Sequence, residues 1–158
     1  MEILKNSKLL VVGGTGFIGH HLLKTAISKG CQVTSVSLNK PTTERFIDGV
    51  QYLHFDLTDQ SQIQKYIDEK FEYIVNLGGY INHQLFKDGG RHIIDEHFSV
   101  IQNLLEIIPN AELKRFVQIG SSDEYGNAKA PQYEEMRESP ISPYSLAKVS
   151  STHFLQML

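Results

Sequence analysis

The chain reads as an α/β protein built on a doubly wound parallel sheet, with helices on both faces in a three-layer α/β/α arrangement. Three observations predict it. Strand-like and helix-like stretches alternate along the whole chain, the connections between them are short, and the first strand runs straight into a glycine cluster that opens a helix, "VVGGTGFIG" from Val11 to Gly19.

The elements follow in order. Lys8 to Val12 is a short apolar strand, and Ile18, Leu22, Leu23, Ala26 and Ile27 then recur at helical spacing until Gly30 closes the helix as a left-handed cap. Val33 to Val36 forms a second strand, Val50 to Phe55 a third and Phe71 to Leu77 a fourth. The polar amphipathic stretch Gln60 to Glu69 lies between the last two. A longer helical pattern, Ile93 to Ile108, leads to a fifth strand at Phe116 to Ile119, and Asn127 to Glu138 is a polar loop. Ser142 is a good N-cap and Pro143 suits a first helical turn, so a last helix is expected from Pro143 to Leu158, with Phe154, Leu155 and Leu158 on an apolar face.

With 158 residues, 41% of them hydrophobic and 21% charged, the chain has the balance of one globular domain with a real core, and one domain over 1–158 is expected. A formal net charge of −3, with no basic cluster, argues against nucleic acid and anionic membranes as partners. The single Cys31 cannot form an internal disulfide, and no apolar run reaches the length of a membrane span or a signal-peptide core. A reducing cytoplasm is the expected location. The seven histidines form no closely spaced ligand set with Cys or carboxylates, so no metal is expected.

The glycines fit two spacings at once: Gly14, Gly16 and Gly19 as G-x-G-x-x-G, and Gly13, Gly16 and Gly19 as G-x-x-G-x-x-G. Either permits a tight turn, close backbone approach to a pyrophosphate, and helix N-terminal N–H groups facing the anion. No Lys-Ser or Lys-Thr pair follows, which excludes a Walker A loop. A dinucleotide site is therefore expected here. Where many NAD sites place an acidic residue after the second strand, this chain has "SVSLNKP", with Ser37, Asn39 and Lys40. Loss of the carboxylate beside a cation favours NADP over NAD, although Ser37 and Asn39 can also bind a plain ribose. Asp56 in "FDLTD" could accept a hydrogen bond from an adenine amino group or simply close a turn before the next helix, and "NLGG", Asn76 to Gly79, ends the fourth strand where a ligand needs room.

"PYSLAK" sets Tyr144 and Lys148 four residues apart, on one face of the last helix. An ammonium beside a phenol favours the phenolate and makes Tyr144 usable as a general acid or base. In "IGSSDEYG" upstream, Ser121 and Ser122 compete to hydrogen-bond the substrate oxygen that Tyr144 serves.

The joint order "GGTGFIG", "FDLTD", "NLGG", "SSDEYG" and "YSLAK" resembles the N-terminal half of an extended short-chain dehydrogenase/reductase of the NAD-dependent epimerase/dehydratase family, whose members mostly act on nucleotide sugars. The resemblance covers essentially the whole chain and implies a Rossmann-type fold without the C-terminal substrate domain. By it, Gly13, Thr15, Gly16, Phe17, Ile18 and Gly19 cradle NAD or NADP, Asp56 and Leu57 contact adenine, and Leu77, Gly78 and Gly79 line the cofactor's path. Counting back from "YG", Ser121 takes the family's catalytic Ser/Thr place, and Tyr144 and Lys148 take its Tyr and Lys. His97, in "HFSVIQNLLE", stands where many relatives carry an Asn, and Ser122 and Asp123 stand where dehydratases often carry an Asp-Glu pair. The resemblance implies an epimerase, 4-ketoreductase or dehydratase, with the incomplete acidic pair tilting away from dehydratase. It also implies a homodimer through the helices at 93–108 and 143–158. The alternative is a module that holds NAD(P) without turnover.

Overall fold

The computed structural model describes residues 4–108 and 112–158. The chain divides into two compact units, Met1–Gly78 with Asn103–Ile119, and Gly79–Gln102 with Gly120–Leu158. The first unit carries the sheet. β1 (Lys8–Val12), β2 (Gln32–Ser37), β3 (Val50–His54), β4 (Tyr73–Asn76) and β5 (Arg115–Gln118) pair in the order β3-β2-β1-β4-β5, every pair parallel. Reversal of strand order at β1 makes this a doubly wound sheet of the Rossmann type.

The central position of β1 explains its sequence. Leu9 to Val12 are all buried, as expected for a strand covered on both faces and flanked by β2 and β4. α1 (Phe17–Ser28) sets Leu23 and Ala26 against Leu9, Val11, Cys31 and Val33. Full burial of a leucine such as Leu23 is worth about 2 kcal/mol. Gly30 ends this helix in the left-handed conformation, φ 79°, and its N–H reaches the Ile27 carbonyl. α2 (Gln60–Tyr66) is capped by Asp59, whose carboxylate accepts the Ser61 N–H at 2.9 Å. The helix stops three residues short of the expected Glu69.

β4 is shorter than the expected Phe71 to Leu77, with Glu72 just before it donating its N–H to the Lys8 carbonyl and accepting the Lys114 N–H. Phe71 is buried just outside the strand.

The second unit is helical. The helical pattern expected from Ile93 to Ile108 begins earlier and is not uniform. It starts as α3 (Gly90–Ile94), widens into a π-helical turn at Asp95–Ser99, and continues as α4 (Val100–Ile107), which runs on into the first unit. α5 (Pro143–Met157) starts where Ser142 and Pro143 predicted. The Ser142 hydroxyl accepts the Ser145 N–H at 3.1 Å, and the Ser145 hydroxyl accepts the Ser142 N–H at 2.9 Å. Its buried face is Tyr144, Ser145, Ala147, Lys148 and Ser151. Among the described residues no helix is long and apolar enough to cross a membrane.

Candidate functional site

The glycine loop joins β1 to α1. Gly13 takes φ 78° and donates its N–H to the Val36 carbonyl, while the Gly16 N–H returns to the Gly13 carbonyl at 3.1 Å, closing a tight turn. Gly19 is buried in the first turn of α1. A methyl there would collide with the Gly13 carbonyl and lie 2.6 Å from Gly14 Cα, so backbone packs directly on backbone. Gly16 caps the helix without any side-chain hydrogen bond, and no acidic residue stands in the first turn. First-turn N–H groups of a helix lack intrahelical acceptors. The loop thus offers donors and positive dipole to an anion with no carboxylate competing, which fits a pyrophosphate. Phe17 and Ile18 project outward, 71% and 55% exposed.

The rest of the expected cofactor residues in this unit are positioned as follows. Ser37 ends β2 and its hydroxyl accepts the Thr15 N–H at 3.4 Å, tying the loop to the strand; Asn39 and Lys40 are exposed just beyond it. Asp56 closes a turn, one carboxylate oxygen accepting the Thr58 N–H at 2.9 Å and its hydroxyl at 2.8 Å, so the helix cap falls to Asp59. Leu57 is buried, and its carbonyl and that of Thr58 accept the two-pronged Asn103 amide at 3.0 and 3.1 Å. Leu77 pairs back to Val12, and the Gly78 N–H donates to the Asn76 side chain at 3.0 Å. Arg45 went unnoticed in the sequence: its guanidinium donates to the Thr15 carbonyl at 3.0 Å, and its own carbonyl meets His20 Nδ1 at 3.1 Å. No motif marks it.

The second unit assembles the chemistry-bearing side chains. Tyr144 and Lys148 share the buried face of α5 at 5% and 3% exposure, with the Lys148 ammonium 5.8 Å from the centre of the Tyr144 ring. Two imidazoles meet that ring edge-on, His97 at 5.0 Å and His83 at 5.7 Å between centroids. His97 comes from the π-helical turn. Its Nε2–H donates to the Tyr80 carbonyl at 3.0 Å, which leaves Nδ1 bare, buried and without a hydrogen-bond partner among the described residues. The Ser151 hydroxyl donates to the His97 carbonyl at 3.2 Å, fastening the turn to α5. Gly79, at φ 96°, packs so closely on the His97 ring that any Cβ would overlap it.

Burial pushes His97 below the ordinary imidazole value, against the pull of the Tyr80 hydrogen bond and with help from the Lys148 charge. Burial likewise pushes Lys148 below the ordinary lysine value, and the Glu124 carboxylate opposes it.

Ser121 precedes a 3₁₀ turn at Ser122–Tyr125 and caps it, its hydroxyl accepting the Asp123 N–H at 3.2 Å. An accepting hydroxyl keeps its proton to donate, so the capping role leaves Ser121 a hydrogen bond to give. Ser122 is exposed and half-buried Asp123 meets His83, Oδ2 to Nε2 3.5 Å. Glu124 turns inward and is buried. Asp123 lies beside His83, while Glu124 is engaged with Ser121 and Thr152. Among the described residues no three His, Cys, Asp or Glu side chains are grouped to hold a metal.

The fold and the glycine loop define a parallel α/β protein of the Rossmann type. The chain belongs to the NAD dependent epimerase/dehydratase family, whose model matches residues 9–158. It is 28% identical to Protein CapI of Staphylococcus aureus over 91% of this chain and 47% of that protein. Among solved structures it is similar to a UDP-glucose 4-epimerase of Thermotoga maritima with UDP-glucose, at TM-score 0.84 and 25% identity, covering 95% of this chain and 50% of that one. WbmG of Bordetella bronchiseptica, in complex with NAD, shares the fold at TM-score 0.83 and 19% identity, over 97% and 50%. The chain spans about half the length of the curated relatives it matches.

Proposed function

We propose that this chain, over 1–158, is the NAD(P)-binding portion of an oxidoreductase that moves hydride at a carbon of a nucleotide sugar, as an epimerase, a 4-ketoreductase or a dehydratase does. The observation that carries the reading is the buried Tyr144–Lys148 pair on α5. A lysine is almost never fully buried unless a partner or a function requires it. Its burial beside a phenol, in a chain whose first strand leads into a dinucleotide-type glycine loop, supports acid–base chemistry at Tyr144.

In this reading Gly13, Thr15, Gly16, Phe17, Ile18 and Gly19 hold the pyrophosphate, Asp56 and Leu57 the adenine, and Leu77, Gly78 and Gly79 the path toward the nicotinamide. Ser37 and Asn39 serve the adenosine ribose, and Lys40 favours a 2′-phosphate and so NADP. When bound, the nicotinamide would accept hydride from the sugar carbon and return it. Tyr144 takes the proton of the sugar hydroxyl as hydride leaves its carbon, and returns it when hydride comes back. Lys148 stabilises the phenolate by its positive charge. Ser121 donates a hydrogen bond to the reacting oxygen and fixes its position. His83 stands beside the ring and Asp123 beside His83, without an assigned step.

A second copy of the chain, packed through the helices at 93–108 and 143–158, is the proposed protein partner, and sedimentation as a dimer checks it. A reducing cytoplasm suits the buried free thiol of Cys31, and fractionation of cells making the protein tests that location. Calorimetric titration of the protein with NAD and NADP tests the proposed function, followed by a scan of nucleotide sugars for conversion, read by chromatography of the sugar and, for a net reduction, by absorbance at the nicotinamide band. Binding with NADP preferred, and turnover with a sugar, is the expected result. Binding with no turnover would instead favour a cofactor-holding module, and binding of neither dinucleotide would overturn the proposal.

A further inference from the structure

Glu124 is a buried carboxylate that the proposed chemistry leaves without a role. It is 8% exposed, and both its oxygens are engaged by different elements. Oε1 accepts the backbone N–H of Ser121 at 2.9 Å, and Oε2 accepts the hydroxyl of Thr152 on α5 at 3.0 Å. Thr152 lies one helical turn beyond Lys148, so the carboxylate is fastened to the helix beside the buried ammonium. Taking a carboxylate out of water is costly unless charge and hydrogen bonds compensate it. A valine or leucine could fill the same space without that cost, which argues that the charge itself is used.

We propose, resting on the reading of Tyr144 and Lys148 above, that Glu124 is a positioning residue for the acid–base cluster. Its carboxylate ties the Ser121 segment to α5 and sets a negative charge on that helix one turn from Lys148. The groups facing Lys148 support this assignment. From α5 there is the Tyr144 ring, and from the π-helical turn there is His97, whose burial holds it neutral. Glu124 supplies the opposing negative charge against the cost of burial. Tyr125, next to Glu124, is held toward its protonated form by burial and by that same carboxylate. His83 is paired with Asp123 at the Tyr144 ring.

The test is the titration of Lys148 itself, read by NMR of the protein labelled with ¹³Cε-lysine, the signal being assigned by its loss in Lys148→Arg. In Glu124→Gln, which keeps the shape and an acceptor for the Ser121 N–H, the Lys148 midpoint should fall by about one pH unit relative to the parent. Glu124→Asp keeps the charge but retracts it by one methylene. It should give a smaller fall, and it serves as the test if the glutamine variant does not fold. An unchanged midpoint in either folded variant would overturn the proposal. Where turnover is measured, kcat of Glu124→Gln should drop roughly tenfold with KM retained, and a shifted midpoint with unchanged kcat would also overturn it. Because the NMR midpoint needs no substrate, it separates failure of this inference from failure of the catalytic reading.

Discussion

Lys148 is the side chain whose position folding alone explains least. An ammonium at 3% exposure costs stability that an apolar residue would not, and its neighbours are a phenol, an imidazole kept neutral and a buried carboxylate. His97 is the companion case, and its protonation gives a prediction with a definite sign. Burial holds the folded imidazole below 6.5, the ordinary value. As pH falls past about 6.5, the unfolded chain takes up a proton that the folded chain refuses, so stability is complete above that pH and lost below it. His97→Gln keeps a donor for the Tyr80 carbonyl but cannot titrate. Between pH 7 and 5.5 the parent should lose more stability than this variant in urea unfolding. Equal losses would mean that His97 is not held neutral.

The residue-level reading from sequence succeeded where the signal was local. Tyr144 and Lys148 fall on one face because four residues make about one turn, and Ser142 with Pro143 announces its own helix start. Glu124 and Arg45 were not legible, because what defines them is a partner distant in sequence. Thr152 is 28 positions from Glu124, and Thr15 is 30 positions from Arg45.

At the scale of elements, side-chain amides do much of the work of shaping loops. Asn103, on α4 and 8% exposed, donates both amide hydrogens to carbonyls of the "FDLTD" segment and accepts from Gln60 at 3.1 Å. Asn103→Ala strands the buried Leu57 carbonyl and the half-buried Thr58 carbonyl, and a stranded buried group costs about 1 to 3 kcal/mol. A drop of about 2 kcal/mol in unfolding free energy is expected from chemical denaturation, with dinucleotide affinity weakened through displacement of Asp56 and Leu57. A change below about 0.5 kcal/mol would show that water replaces the amide without cost.

The five strands were legible because buried parallel strands are short apolar runs between turn residues. The π-helical turn was not. The apolar period from Ile93 to Ile108 reads as continuous, whereas the widening at Asp95–Ser99 depends on how His97 and Phe98 pack against α5, including the Phe98–Phe154 edge contact at 5.7 Å.

At the scale of the molecule, the two units divide the proposed labour: the sheet unit carries the glycine loop, and the helical unit carries Tyr144, Lys148 and Ser121. Family membership was legible because five short motifs occur in a fixed order, each weak alone. The sugar of the proposed substrate was not, since none of the five motifs names one. The most direct test of the central claim compares the protein with its Tyr144→Phe variant, measuring dinucleotide affinity by calorimetry and turnover of a nucleotide sugar by chromatography of the sugar product. Affinity should be retained while kcat falls by roughly 10²- to 10⁴-fold, the usual worth of a positioned acid–base group. A variant that turns over as fast as the parent would contradict it.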